Sequence, residues 1–165
     1  AQDRFPVLIK FIDAKQALSI QIHPDDEYAR THENGSRGKT EMWYVLDAAK
    51  DSSLVYGFSQ DMEREQLKKS IEDGTIGEYL QKIPVHKNDT FYIEAGTVHA
   101  IGAGCLMAEI QENSGIHSIF PIGNYPFAAG LRHKKRPPDV MWEVFDRQTH
   151  HIRPGQGPGD LHFFV

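Results

Sequence analysis

The sequence predicts an all-β fold, a barrel or jelly roll carrying one short helical insertion. Three observations predict it: many short runs of strand length, turn signals between most of them, and a single stretch of clear helical periodicity. The chain has 165 residues, the size of one domain with its own hydrophobic core. No internal repeat or low-complexity boundary divides it, so we expect a single domain over residues 1–165.

Residues 6–11 (PVLIKF) are a short apolar run of strand length. Residues 17–23 (ALSIQIH) alternate strictly: Leu18, Ile20 and Ile22 point one way, and Ser19, Gln21 and His23 the other. Residues 24–40 are polar and read as a loop, on Asp25, Asp26, Asn34, Gly35 and Gly38. Residues 41–46 (EMWYVL) read as a buried strand, and Lys39, Glu41 and Trp43 share one face if the extended geometry begins by Lys39. Residues 53–58 (SLVYGF) are the next strand. Residues 60–73 are the clearest helix, with Met62, Leu67, Lys68 and Ile71 near one face and Gly74 where a C-terminal cap falls. Residues 78–81 add a helical turn. Strands return at 89–93 (DTFYI), at 98–101 after a turn at Ala95 and Gly96, and at 105–111 (CLMAEIQ) after Gly102 and Gly104. In the last of these Leu106, Ala108 and Ile110 oppose Met107, Glu109 and Gln111. Beyond Gly115, Pro and Gly become frequent, residues 132–136 (RHKKR) form a basic cluster, and residues 141–145 and 161–165 have strand character around a turn-rich connector at 154–159.

The net charge of −5 argues against a general nucleic-acid binder. Cys105 is the single cysteine, which forbids an intrachain disulfide and suits a reducing compartment. No apolar run approaches the roughly 20 residues that span a bilayer, and no signal peptide stands at Ala1. A strand-like run starts within a few residues and there is no initiator Met, so a fragment of a longer chain is expected.

A metal needs donors converging from separate elements, and imidazole, carboxylate and amide oxygen all serve a divalent ion. Gln21 and His23 come from one strand face, Glu41 opens the next strand, and His99 follows a glycine turn far along the chain. With neutral imidazoles and amide against one carboxylate, a divalent ion leaves such a site net positive, able to stabilise a developing oxyanion. Spacing alone leaves the reading open, because a histidine taken singly is more often a surface or satisfied core residue. His32, His86, His117, His133, His150, His151 and His162 are read that way; the rings of the adjacent pair His150 and His151 would diverge on a strand.

The segments FPVLIKFIDAKQALSIQIHPDDEYA, GKTEMWYVLDA and NDTFYIEAGTVHAIGAGCLMAEIQENS resemble the type I mannose-6-phosphate isomerases, or phosphomannose isomerases, of the cupin superfamily. The resemblance covers about residues 3–114. It implies a cupin-type double-stranded β-helix and one zinc ion, with ligands at Gln21 and His23 of SIQIHPDD, Glu41 of GKTEMWY and His99 of AGTVHA. It places Lys10 and Ser19 at the substrate's phosphate end, and Lys39 and Glu109 among the polar residues lining the active site, where we take them as catalytic candidates. The activity implied is interconversion of mannose 6-phosphate and fructose 6-phosphate, by proton transfer between C1 and C2 through a cis-enediol, in the cytoplasm. Lys39 is the candidate for moving that proton.

Departures from the family bear on turnover. Asn88 and Asp89 stand where Gly-Asp is usual, and Glu94 stands where Pro is usual; both are turn-region changes. The family continues past Ser114 with a segment like TTYRVYDY, whose arginine, counted from Glu109, would fall at Ile119. This chain reads GIHSIFPIGNYPF there, and no arginine occurs between Arg64 and Arg132. Isoleucine cannot supply a guanidinium fork to a phosphate or enediolate oxygen. Arg132, Lys134 and Lys135 are the candidate substitutes, and their ordinary reading is a solvated basic loop. Residues 115–165 do not resemble the family, and its N-terminal part is missing before Ala1. The expectations are therefore an isomerase or, in the alternative, a metal-holding cupin module that binds sugar phosphates without turnover. A third reading gives the metal a structural role alone. The expected partner is a small sugar phosphate, with no nucleic acid and no membrane. A bare edge strand would pair between chains, which makes an oligomer part of the expectation.

Overall fold

Strand alternation sorts the residues onto two antiparallel sheets, in a computed structural model that describes residues 5–114 and the two-residue strand at 118–119. In chain order the elements are β1 (Val7–Ala14), β2 (Gln21–Ile22), α1 (Asp26–His32), β3 (Glu41–Ala48), β4 (Ser53–Phe58), α2 (Arg64–Glu72), a 3-10 turn (Ile76–Glu78), β5 (Leu80–Pro84), β6 (Thr90–Ile93), β7 (His99–Ile101), β8 (Cys105–Glu112) and β9 (Ser118–Ile119). One sheet has the order β1-β8-β3-β6 and the other β5-β4-β7-β2-β9. Every pairing is antiparallel. This is the all-β jelly-roll barrel expected, with two small helices. No helix among the described residues is long and apolar enough to cross a membrane. The strand expectations at 141–145 and 161–165, the basic cluster at 132–136, the connector at 154–159, and His117, His133, His150, His151 and His162 lie outside the described residues.

Two apolar clusters hold the fold together. Trp43 and Val45 of β3, Leu54 of β4, Phe91 and Ile93 of β6, Ile101 of β7 and Met107 of β8 meet between the sheets. Ile20, Ile22, Val98 and Ala100 point to the opposite side of the second sheet, where Tyr28 of α1 and Leu67 of α2 cover them. Full burial of one such side chain is worth about 1.5–3 kcal/mol, so the helices are held on by packing. α2 ends as the sequence predicts, with Gly74 just past it at φ 73°. It begins four residues later than expected, at Arg64, and its buried face uses Leu67 and Ser70 while Lys68 is exposed.

Two elements differ from the sequence reading. Residues 24–40, read as a loop, contain α1, which Asp25 caps by accepting a hydrogen bond from the Tyr28 amide at 2.7 Å. β5 runs through residues where a helical turn was expected to end; the 3-10 turn sits just ahead of it.

The barrel interior is apolar at one end and polar at the other. β8 shows how. Its apolar residues Leu106, Ala108 and Ile110 face outward, while Glu109 and Gln111 are buried beside Trp43 and Glu41 of β3, their partners in the ladder. β1 forms the sheet edge on the far side of β8. Four of the five exposed large hydrophobics among the described residues, Phe5, Leu8, Ile9 and Phe11, lie on or beside it, and the fifth, Leu106, sits opposite Asp13 of β1.

Candidate metal centre

The polar end of the barrel is built by strand register. Gln21 lies opposite His99 in the β2–β7 ladder, and Tyr56 lies opposite His99 in the β4–β7 ladder. Residues directly paired across a ladder project from the same sheet face, so β2 and β7 send Gln21 and His99 into the interior together. His23 follows one pleat beyond Gln21. From the other sheet Glu41 opens β3, with Lys39 two residues before it.

His23, Lys39, Glu41 and His99 are all buried. Glu41 is the hub. Its Oε1 lies 2.6 Å from Lys39 Nζ and 3.2 Å from His23 Nε2, and its Oε2 lies 3.8 Å from His99 Nε2. Lys39 Nζ is also 3.3 Å from His23 Nε2. Trp43 donates its indole N–H to Glu41 Oε2 at 3.0 Å, and the Trp43 ring meets the His99 ring edge-on at a centroid distance of 5.4 Å. His99 Nδ1 is 2.8 Å from the Thr97 carbonyl oxygen. A carbonyl only accepts, so Nδ1 carries the proton and Nε2 presents its lone pair towards Glu41.

Electrostatics keep the donors in ligand form. Burial lowers the His23 pKa to about 3, with His99 and Lys39 adding to the effect and Glu41 opposing it. Burial also lowers His99, against the attraction of Glu41 and the Thr97 carbonyl. Both imidazoles are thus neutral near pH 7. For Glu41 burial pushes upward, but its hydrogen bond with His23, the positive charges that His99 and His23 take on in the acid range where the carboxyl titrates, and Lys39 outweigh that, holding the carboxyl well below the usual range.

The residues fit a divalent ion. His23, Glu41 and His99 each bring one ligand atom, and these atoms all lie within 4.8 Å of one another. A tetrahedral ion at about 2.0–2.2 Å from its donors sets neighbouring donors about 3.3–3.6 Å apart. His23 Nε2 lies 3.2 Å from one Glu41 oxygen and His99 Nε2 3.8 Å from the other, so each imidazole is near that span from a different carboxylate oxygen. Two neutral imidazoles and a carboxylate are a zinc-type donor set.

The remaining expected residues fall in two pairs. Lys10 of β1 lies opposite Glu109 of β8, and its Nζ is 2.8 Å from Glu109 Oε1. Lys10 also donates to Gln111 Oε1. Gln21 Nε2 is 3.5 Å from Ser19 Oγ, and both residues are half-buried. Glu109 contributes to the field at His99, so the two groups share one polar interior. Of the histidines read as ordinary, His32 stacks on Tyr28 at 4.2 Å and His86 is exposed beside Asp89. Arg132, Lys134 and Lys135 lie outside the described residues. Sequence reasoning gave no role to Thr97, Gln111 or the Trp43 indole N–H. Trp43 and Gln111 had a visible signal, each two residues from a named site residue on one strand face, Glu41 and Glu109; Thr97 had none.

A buried His–Glu–His cluster inside an antiparallel jelly roll defines the class of this protein as a β-barrel with a site that could hold a metal ion. Comparison with known proteins makes the class specific. Residues 1–52 match the family model for the phosphomannose isomerase type I catalytic domain. The chain is 51% identical over 112 residues, 68% of its length, to the mannose-6-phosphate isomerase ManA of Bacillus subtilis (strain 168), of which this covers 35%. In structure it is similar to a mannose 6-phosphate isomerase from Bacillus subtilis, with TM-score 0.78 and 30% identity over 94% of this chain and 48% of that one. It shares its fold, at TM-score 0.51 and 16% identity over 81% of this chain and 56% of that one, with a mannose 6-phosphate isomerase bound with zinc and yttrium. The chain spans about a third of the length of the curated relatives it matches. Sequence and structure thus resemble one family, the type I mannose-6-phosphate isomerases.

Proposed function

We propose that this barrel carries a metal-dependent aldose–ketose isomerase site that interconverts mannose 6-phosphate and fructose 6-phosphate. The observation that carries the reading is the convergence of His23, Glu41 and His99 from three separate elements onto one buried point, with Lys39 Nζ 2.6 Å from Glu41. The names of the matched relatives supply the reaction, and the zinc-bound structure of the same fold supports zinc as the ion.

His23, Glu41 and His99 would hold the ion with Gln21, whose place opposite His99 supports it as the fourth ligand. A zinc ion bound there would supply a Lewis acid able to polarise the sugar's oxygens. The chain's own residues do the rest. In the aldose-to-ketose direction the C2 proton leaves and the C1 oxygen gains a proton, giving a cis-enediol. A proton then returns at C1 and the C2 hydroxyl gives up its own. Lys39 handles these protons from within the cluster, and Glu109 lines the same interior. Lys10 and Ser19 bind the phosphate end. Lys10 is the more exposed cation, with its side chain 36% accessible. A buried, lone Cys105 agrees with a cytoplasmic home.

A second reading has one specific observation behind it. β9 sets Ile119 directly opposite Gln21, so the position where the family resemblance expects an arginine runs beside the proposed ligands. A metal-holding barrel that binds sugar phosphates without turnover follows if no other cation substitutes.

A coupled assay on the zinc-loaded protein, mannose 6-phosphate to fructose 6-phosphate, separates the two. Turnover abolished by a chelator supports the isomerase. No turnover with stoichiometric zinc present supports the binding module.

A further inference from the structure

Lys39 lies ahead of β3, where no ladder pairing reaches it, yet its ammonium must meet Glu41 and His23 inside the barrel. Its segment is fastened one residue at a time. The Arg37 carbonyl accepts from Ser114 Oγ at 2.9 Å. The Gly38 amide donates to Asp26 Oδ1 at 2.8 Å. The Lys39 amide donates to the Pro24 carbonyl at 3.0 Å. The Thr40 amide donates to Glu112 Oε2 at 2.9 Å, and the Thr40 carbonyl accepts from the Glu112 amide at 3.1 Å. The turn into α1 and the end of β8 thus grip residues 37–40 from two sides.

The fit against α1 is close enough to require glycine. A Cβ on Gly38 would lie 2.4 Å from the Asp25 carbonyl carbon and 2.5 Å from the Asp26 amide nitrogen, both backbone atoms that cannot rotate away. Two of the fastenings are side-chain carboxylates, on the amides either side of Lys39. A charged acceptor makes a backbone hydrogen bond stronger than a neutral one.

We infer that Asp26 and Glu112 are positioning residues for Lys39, holding the Gly38 and Thr40 amides so that the lysine ammonium stays within reach of Glu41 and His23. Each carboxylate acts through the backbone, on the Gly38 and Thr40 amides. The inference rests on the reading that Lys39 works in the site. A lost fastening leaves the ligands on their own strands, so it displaces the lysine and spares the metal.

The test compares Asp26→Ala and Glu112→Ala with Asp26→Asn, Glu112→Gln and Lys39→Ala, all zinc-loaded. Displacing a reacting group by about 1 Å can cost about a hundredfold in rate. The alanine variants should keep one zinc per chain, lose about tenfold or more in kcat, and hold KM within about threefold. Amide exchange at residues 38–40 should accelerate by about tenfold or more. Asparagine and glutamine keep an acceptor oxygen and should restore most of both. Wild-type kcat together with wild-type exchange in the alanine variants would overturn the inference, as would zinc loss in step with the rate. Unchanged turnover in Lys39→Ala would instead sink the reading beneath it. Exchange and acylation of Lys39 Nζ, followed by mass spectrometry, need no turnover, so an inactive protein leaves the positioning test intact.

Discussion

Trp43 and Glu41 are two residues apart on β3 and point to the same side, and the indole N–H of Trp43 holds Glu41 Oε2 at 3.0 Å. The bond fixes one carboxylate oxygen on the His99 side, leaving the other to Lys39 and His23. It also places a ring against His99, so one residue orients two proposed ligands.

Trp43→Phe should therefore weaken zinc binding while leaving every proposed ligand in place. Partners that orient ligands are worth about 10–100-fold in metal affinity. Trp43 is buried, so the lost bond and smaller ring should also cost about 1–3 kcal/mol of stability. Competition with a fluorescent zinc chelator gives the first number and urea unfolding of the metal-free protein the second. Unchanged zinc affinity would mean that Glu41 holds its orientation without the indole.

His99→Ala should abolish stoichiometric zinc. A ligand that binds only the folded state stabilises it by about 2.7 kcal/mol at a hundred times its Kd, so wild-type protein should melt higher with excess zinc. His99→Ala should show no such rise. Retention of one zinc per chain by the variant, measured by elemental analysis after dialysis, would show that His99 is not a ligand.

Acid should destabilise the metal-free protein starting near pH 6.5. Folded His23 titrates at about 3 against 6.5 for an ordinary histidine, and His99 is shifted the same way. Below pH 6.5 the unfolded chain therefore binds more protons than the folded one, and stability falls as pH falls. For His23 the loss is about 2 kcal/mol between pH 6.5 and pH 5, and His99 adds to it with the same sign. Glu41, lowered from 4.5, adds to the loss below that pH with the same sign, since the unfolded carboxyl protonates first. Melting curves from pH 7.5 to 5 read this directly, and a flat melting temperature across that range would mean the buried imidazoles are already exposed or paired with another charge.

The buried His–Glu–His cluster was readable because strand alternation is local. Ser19, Gln21 and His23 declare a polar face, and Lys39, Glu41 and Trp43 declare another, without any knowledge of the partner strand. Which face turns inward is a different matter. In β8 the rule that apolar residues go inside fails: Leu106, Ala108 and Ile110 face out because Glu109 and Gln111 meet Lys10, Trp43 and Glu41 in the interior. α1 escaped notice because its seven residues bury only Tyr28 and Ala29, too few to show a period. β5 escaped because Leu80 and Ile83, its buried residues, are three apart, a spacing that alternation misses and that goes with the register shift opposite Val55 and Phe58 of β4. The fastening of Lys39 was invisible for a third reason: Glu112 is 72 residues from Thr40, and the need for glycine at position 38 arises only once Asp25 and Asp26 are packed against it.

Ile119→Arg addresses the largest departure from the family. β9 carries Ile119 to the backbone position opposite Gln21, in the same row as His99 and Tyr56. The interior already offers Lys39 as an ammonium, but an ammonium is a point charge, whereas a guanidinium presents two parallel donors to a phosphate or to the paired oxygens of an enediolate. If charge stabilisation of the enediolate limits the rate, Ile119→Arg should raise kcat by about tenfold or more, because one well-placed donor to a developing oxyanion is worth about 2.7–4 kcal/mol. Zinc content should stay at one per chain, since none of the proposed ligands changes. A rise in affinity for mannose 6-phosphate at unchanged kcat would place the new guanidinium on the phosphate instead. No change in either would mean that the protein's turnover, or its absence, is decided by residues other than the one at position 119.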